Sequence, residues 1–165
     1  MKSIKNIALG AFLTVSAFSA ALYTSCTKDQ CKNVVCSHGG TCSGGTCTCP
    51  TGYTGTNCET LAIIGSWKGT DACSAGGPYN VTLTTASSSD STKILITNPG
   101  GFGASVQISG TLSSDGKTVT YTDQVAGAVK LSGTITLSSN TTFVDNYSAI
   151  DATTTVTCTG NYTKQ

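Results

Sequence analysis

The sequence has few of the side chains that enzymes and nucleic-acid-binding proteins rely on. It contains no arginine, one glutamate (Glu59) and one histidine (His38), and 10% of its 165 residues are charged, for a formal net charge of +1. Neither a Ser-His-Asp nor a Cys-His set can be assembled after residue 60, where histidine is absent. Phosphate loops, His-rich metal motifs and basic patches are missing too. We therefore predict no enzymatic activity, no cofactor and no nucleic-acid partner.

Aspartates are the remaining candidates for catalysis. A glycosidase needs two carboxyl groups about 5 to 9.5 Å apart. Four aspartates of the C-terminal region could in principle supply such a pair, but we interpret them as turn, rim and strand-end residues, so a carbohydrate-active enzyme is the least favoured function. They are Asp71, Asp123, Asp145 and Asp151.

The N-terminus has no charge between Ile7 and Tyr23, after a short basic start. A basic start and an apolar run of this length are typical of a secretory signal, and the run is short and Ser-, Thr- and Ala-rich for a membrane span. Small residues precede Cys26, and the segment resembles the lipoprotein signals of Bacteroidetes, although Tyr23 stands where leucine is usual. The resemblance implies cleavage before Cys26, lipidation of its sulfur and attachment to the bacterial outer membrane, with surface exposure.

The cysteine count agrees with that interpretation. Nine cysteines leave one over in a secreted chain. Six lie between Cys31 and Cys58, Cys73 and Cys158 can pair, and acylation would consume Cys26. The alternative is a secreted protein cut nearer Ala20, in which Cys26 stays free or links two molecules.

The segment from Cys31 to Cys58 holds six cysteines separated by four, five, four, one and eight residues. It has almost no large apolar side chains, so cross-links must stabilise it. Spacing alone does not choose the pairing. Disulfides of this density persist outside the reducing cytosol.

This segment resembles an EGF-like module, through its cysteine spacing, the Gly39-Gly40 pair before Cys42 and the turn at Gly52-Tyr53-Thr54-Gly55. The resemblance implies the pairs Cys31–Cys42, Cys36–Cys47 and Cys49–Cys58. Paired Cys-x-x-Cys zinc ligands are absent, and so is the full calcium-binding pattern of such modules. We therefore predict no metal, and we interpret His38 as an exposed loop residue.

From Leu61 onwards apolar residues alternate with threonine, serine and lysine, which is the period of a half-buried strand. Asp115-Gly116 predicts a type I′ hairpin turn, and Asn98-Pro99-Gly100-Gly101 another turn. No segment shows a helical period. The predicted fold is mainly β, an antiparallel meander of eight strands at 64–71, 78–85, 92–98, 104–112, 117–123, 128–138, 141–149 and 153–163.

Cys73 lies after the first of these strands and Cys158 in the last. A disulfide between them would close the sheet into a barrel. Gly65-Ser66-Trp67 weakly resembles the Gly-x-Trp of lipocalin-like barrels, and we expect Trp67 to plug one end. The interior should be mostly filled, with a shallow mouth for ligand lined by Trp67, Tyr79, Phe102, Tyr121 and Tyr147.

These patterns divide the chain into a signal peptide (1–25), a linker carrying lipidated Cys26 (26–30), an EGF-like domain (31–58) and a lipocalin-like barrel (61–165). The favoured function is a non-enzymatic cell-surface lipoprotein, in which an EGF-like stalk presents the barrel to an extracellular protein or glycan, as in adhesion. The alternative is a carrier of a small apolar ligand.

Overall fold

A computed structural model of the protein describes residues 29–165. The predicted signal peptide, the lipidated Cys26 and the first part of the linker lie outside these residues. In the described part of the chain, no helix is both long and apolar enough to cross a membrane.

The disulfide module, residues 31–58, is held by three cross-links and has little regular structure. Cys31 is bonded to Cys42, Cys36 to Cys47 and Cys49 to Cys58, which is the pairing that the EGF-like resemblance implied. Two short antiparallel strand pairs lie in and just after the module. They are β1 (Thr41–Ser43) with β2 (Thr46–Thr48), and β3 (Tyr53–Thr54) with β4 (Thr60–Leu61).

Eight further strands form a closed antiparallel barrel. Each strand pairs with the next along the chain, and the last pairs with the first. The predicted fold class, strand number and meander order are therefore confirmed. The strands are β5 (Gly65–Cys73), β6 (Gly76–Ser87), β7 (Lys93–Thr97), β8 (Gln107–Leu112), β9 (Thr118–Ala126), β10 (Val129–Ser139), β11 (Thr142–Ile150) and β12 (Thr155–Lys164).

Closure depends on the pairing of β12 with β5. Cys158 stands opposite Cys73 in this register, and the two are joined by a disulfide across 85 positions of sequence. The cross-link fixes the neighbours that the sequence predicted, and every strand edge of the barrel is paired.

The predicted turn at Asp115-Gly116 is wrong in type. A type I′ turn needs positive φ at both central residues, whereas only Gly116 has one (71°). The Asp115 carboxylate instead accepts hydrogen bonds from the Ser113 hydroxyl at 2.6 Å and the Lys117 backbone N–H at 3.1 Å. These local bonds favour a wider loop between β8 and β9. A second departure is a single 3₁₀ turn, Pro99–Gly101, in a region expected to be only turn.

The barrel interior is filled in layers of large side chains opposite glycines. The ring of Tyr162 packs against Gly69, and the Cβ of Tyr147 and the hydroxyl of Tyr121 lie against Gly133. A Cβ at Gly133 would lie 2.6 Å from the Cβ of Tyr147 and 2.7 Å from the Tyr121 hydroxyl. Glycine is therefore required where the aromatic rings cross the barrel. The interior glycines are Gly69, Gly110, Gly133 and Gly160.

One end of the barrel, where β5 begins and β12 ends, is plugged; we call it the closed end. Trp67 is fully buried there, and its indole N–H lies 3.1 Å from both the Ile63 carbonyl and the Thr85 hydroxyl. Its ring packs against Phe143, with centroids 4.6 Å apart. The Lys164 ammonium lies 5.3 Å from its ring centroid. Trp67 thus occupies the plugging position expected from the sequence.

The disulfide module docks onto this closed end through the β10–β11 turn. The Asn140 side chain accepts a hydrogen bond from Gly52 N–H at 2.9 Å and donates one to the Tyr53 carbonyl at 2.7 Å. The Tyr53 ring stacks on His38, which is exposed as expected, with centroids 3.8 Å apart. A Cβ on Gly52 would lie 2.5 Å from the Asp115 carbonyl oxygen, so the two backbones are in direct contact.

Candidate functional site: the open mouth of the barrel

The end of the barrel opposite the module is open. Four connections meet there, between β5 and β6, β7 and β8, β9 and β10, and β11 and β12. They surround a cavity of about 380 Å³, which we call the mouth cavity. This volume is within the usual range for small-molecule sites. Its lining is mostly apolar: Cys73, Ala75, Tyr79, Gly100, Phe102, Val129, Tyr147, Ala149, Asp151, Thr154, Val156 and Cys158.

The β7–β8 connection carries an aromatic ring over the mouth. Asn98 has a left-handed backbone (φ 60°), a conformation that asparagine tolerates better than most residues. Its side chain donates to the Thr82 carbonyl at 2.7 Å and accepts from the Gly103 N–H at 2.7 Å. These bonds fix the connection at both ends, and Phe102 follows the 3₁₀ turn inside it with 39% of its surface exposed.

Tyr79, near the start of β6, lines the mouth cavity together with Phe102. It is 51% exposed, although the alternation of β6 places it on the same face as the buried Val81 and Leu83. Its ring lies instead against Gly76 and Gly77 of the β5–β6 connection, 3.1 Å from a Cβ built on either glycine. Two exposed aromatic rings at a concave apolar surface are unusual for a surface with no ligand or partner.

Tyr147 forms part of the floor of the mouth cavity and connects it to a buried aspartate. Its hydroxyl donates to Asp71 Oδ2 at 2.7 Å, and Tyr162 donates to Asp71 Oδ1 at 2.6 Å. Asp71 is 1% exposed, and both of its oxygens accept a hydrogen bond, so the carboxylate is satisfied where it lies. Burial raises the pKa of both tyrosines above the ordinary value for a phenol, and both therefore keep their protons.

Asp145 forms a second buried carboxyl site on β11. It is 1% exposed, and the Tyr121 hydroxyl lies 2.8 Å from its Oδ1 and 3.0 Å from its Oδ2. Burial raises the pKa of Asp145 to about 7; the hydrogen bond from Tyr121 opposes the rise and the negative charge of Asp71 adds to it. A substantial fraction of molecules therefore carries a protonated Asp145 at neutral pH.

The two aspartates lie on either side of Gly160. Asp145 pairs with Gly160 across β11 and β12, and Gly160 pairs with Asp71 across β12 and β5. A Cβ at Gly160 would lie 2.3 Å from Asp71 Oδ1. The glycine leaves the space in which the Asp71 carboxylate lies.

The other two predicted aspartates do not join this group. Asp151 is exposed in the β11–β12 connection and lines the rim of the mouth cavity. Its Oδ1 accepts from the backbone N–H groups of Thr153 and Thr154 at 2.8 and 2.7 Å, and these bonds lower the pKa of the carboxyl. Asp123 is exposed with a positive φ of 49° where β9 distorts.

The structure therefore corrects the interpretation of the aspartates. The two on the rim and surface fit it, but Asp71 and Asp145 are interior residues. The alternation of side chains along the strand could have predicted this. Asp145 lies two residues from Phe143 and two from Tyr147, so all three face the same side of β11, which is the barrel interior. Asp71 has the same parity as Trp67.

Of the five residues predicted to line a mouth, three come together. Tyr79, Phe102 and Tyr147 line the mouth cavity, whereas Trp67 lies at the closed end and Tyr121 in the interior beside Asp145. All five are aromatic, and the strand alternation predicted which of them face inward. It contains no information on how deep each residue lies along the barrel axis.

Across residues 29–165, no three histidine, cysteine, aspartate or glutamate side chains are grouped as a metal site would require.

No protein-family model matches the chain, and no curated protein matches it. The solved structures that are similar to this chain include the following three. One is a redesigned beta barrel, with 19% identity, a TM-score of 0.46 and coverage of 63% of this chain and 92% of that one. EF1p2_mFAP2b bound to DFHBI has 18% identity and a TM-score of 0.47, covering 63% and 94%. The redesigned beta barrel mFAP1, bound to DFHBI, has 21% identity and a TM-score of 0.45, covering 62% and 95%. At sequence identities this low, the similarity concerns the fold and not the function.

Proposed function

We propose that this protein is a non-enzymatic, lipid-anchored binding protein that holds a small, largely apolar molecule in the mouth cavity. The observation that carries the proposal is the cavity itself, about 380 Å³ with mainly apolar walls and two partly exposed aromatic rings. Sequence patterning placed adhesion through a protein or glycan first and a small-ligand carrier second. The geometry favours the reverse order, because the open mouth is a concave, mainly apolar pocket.

The anchor and the docking of the module give this site a direction. If Cys26 is acylated, the chain leaves the bacterial outer membrane four residues before the EGF-like module. That module packs on the closed end through Asn140 and Gly52. The mouth would then point away from the membrane into the medium, where a ligand or a partner carrying one can reach it.

The absence of a catalytic arrangement among the mouth residues is consistent with binding alone. Tyr147 and Asp71 are hydrogen-bonded to each other at the floor, and neither is positioned beside a histidine or lysine that could exchange protons with a substrate. Asp145 is covered by the barrel wall and Tyr121.

The test uses the full mature chain with Cys26→Ser, so that neither acyl chains nor detergent compete for the cavity. Pyrene emission, which responds to polarity, should change saturably on binding. Val129→Lys places a charge in the cavity wall and should raise the Kd at least about tenfold. Val125→Lys is the matched control, since Val125 lies on the same hairpin but is 68% exposed and does not line the cavity.

Equal loss of binding in both variants would place the pyrene site elsewhere. If the parent chain binds neither pyrene nor another small apolar molecule saturably, the proposal of a small-molecule site is overturned and protein or glycan recognition returns to first place.

A further inference from the structure

The ionisable groups that line the mouth cavity include a carboxyl group and phenols but no basic side chain. Among its lining residues the only ionisable side chains are Tyr79, Tyr147 and Asp151, and no lysine or histidine is present. The chain has no arginine at all. A ligand carboxylate in this cavity would lose its hydration without gaining a cationic partner, which is unfavourable.

The polar group at the floor can only accept a hydrogen bond. A phenol has one proton, and that of Tyr147 is used on Asp71 Oδ2 at 2.7 Å. Among the described residues no other group donates to the Tyr147 oxygen. Asp71 cannot take up the role of donor either, because both of its oxygens already accept from tyrosines. A ligand that meets Tyr147 must therefore bring its own N–H or O–H.

The surroundings favour a donor that is also positively charged. Behind Tyr147 lies the carboxyl group of Asp71, and the rim carries the Asp151 carboxylate, whose pKa is held below its usual range. The cavity wall adds the rings of Tyr79 and Phe102, whose faces attract cations.

The fit at the floor is close. A Cβ built on Gly100 would lie 2.7 Å from the Tyr147 hydroxyl and 3.0 Å from Phe102 Cε2. Only glycine therefore fits at this position, and any larger residue would press against both the Tyr147 hydroxyl and the Phe102 ring.

We propose that the mouth cavity selects hydrophobic amines, with the protonated nitrogen donating to Tyr147 and the apolar body lying against Phe102 and Tyr79. This inference rests on the proposed function and adds the ligand class to it. Carboxylic acids of the same shape should be rejected, and neutral alcohols should bind with intermediate affinity.

The test compares three ligands that differ only at one end: 4-phenylbutylamine, 4-phenylbutanol and 4-phenylbutanoic acid. Titration calorimetry at pH 7.4 with the full mature Cys26→Ser chain should give a Kd for the amine at least about tenfold below that of the alcohol, and no measurable binding of the acid. Raising the salt concentration should weaken the binding of the amine more than that of the alcohol.

A matched pair of variants tests the role of the floor. Tyr147→Phe and Tyr162→Phe each remove one hydrogen-bond donor from Asp71, but only Tyr147 lines the cavity. Tyr147→Phe should abolish the preference for the amine over the alcohol, and Tyr162→Phe should retain it. The comparison of the three ligands on the parent chain stands by itself if either variant does not fold.

The outcomes separate the two proposals. Equal affinity for all three ligands, or tighter binding of the acid, overturns the amine preference and leaves the small-molecule site in place. Binding of pyrene without binding of the amine does the same. If neither pyrene nor any of the three ligands binds, the proposed function itself is overturned.

Discussion

At the residue scale, Asp145 makes the stability of the barrel depend on pH. Its pKa is about 7 in the folded protein because it is buried, against an ordinary value of 3.8 for an aspartate. The protonated form is therefore favoured by folding. The stability that this group contributes is fully present below the unfolded pKa near 3.8 and is lost progressively as the pH rises to about 7.

Asp145→Asn should remove that loss. The free energy of unfolding of the variant relative to the parent chain should increase from pH 4 to pH 7, by an amount on the order of 4 kcal/mol, and should stay level above pH 7. Urea unfolding at several pH values measures it. The tyrosines and Asp71 that face Asp145 are unchanged in the comparison.

Asp90→Asn is the control for that experiment. Asp90 is an exposed loop residue whose pKa is lowered by its hydrogen bonds with Thr92. Its contribution is present above the unfolded pKa and is lost only as the pH falls below about 4. A parallel pH dependence in both variants would mean that the effect is not specific to the buried group.

At the scale of single elements, the β10–β11 turn joins the barrel to the disulfide module. Asn140 makes three hydrogen bonds to backbone groups of the module, with Gly52 N–H at 2.9 Å and with the Tyr53 and Pro50 carbonyls at 2.7 and 3.4 Å. Few other polar contacts cross between the two parts; the Tyr53 hydroxyl to the Ser114 carbonyl, at 3.4 Å, is one.

Asn140→Ala should loosen the module while leaving the barrel folded. The loss of these bonds should lower the stability of the docked state by about 2 kcal/mol, and the Gly52 amide should exchange its hydrogen faster. Hydrogen exchange measured by mass spectrometry detects the change in peptides covering residues 50–62. Asn146→Ala is the matched control, because Asn146 lies on the barrel wall and its side chain is hydrogen-bonded to Thr159 of the barrel and not to the module.

Unchanged exchange at Gly52 in Asn140→Ala would show that backbone packing alone holds the module. In that case the module would be held on the barrel by the backbone contact between Gly52 and Asp115.

The strand pair that closes the barrel also belongs to this scale. The disulfide between Cys73 and Cys158 spans 85 positions. In the chain-entropy model, a loop of that length contributes about 4.5 kcal/mol by restricting the unfolded chain. Cys73 and Cys158 also line the mouth cavity, so the same bond joins β5 and β12 in the wall of the cavity.

At the scale of the whole molecule, the proposed lipid anchor at Cys26 makes a prediction about the mass of the mature protein. Protein purified from host membranes should have an intact mass that begins at Cys26 and includes acyl groups. Reduction should add eight hydrogens, two for each of the four disulfides among the described residues. Two or three acyl chains at about 0.8 kcal/mol per buried CH₂ are enough for a stable anchor.

An unacylated mass would contradict the anchor. It would leave the mouth cavity intact and favour a soluble carrier, since the binding site depends on the barrel alone.

Sequence patterning was strong for the barrel wall because the strand period leaves few alternatives. The alternation of apolar and polar residues predicted eight strands in meander order, and the positions of Cys73 and Cys158 predicted which strands close the barrel. It was weaker for the site. Tyr79, Phe102 and Tyr147 were identified as mouth residues, but they were grouped with Trp67 and Tyr121, which lie elsewhere.

The sequence by itself determined the β architecture, the disulfide framework through its resemblance to EGF-like modules, and the poverty in catalytic groups. Only the tertiary structure decided which end of the barrel is plugged and which is open. It also decided that Asp71 on β5 and Asp145 on β11 lie on either side of Gly160 on β12. The reason is physical: alternation along a strand specifies the face of a residue. Depth in a barrel depends on strand tilt and register between strands, which are set by packing among residues far apart in the chain.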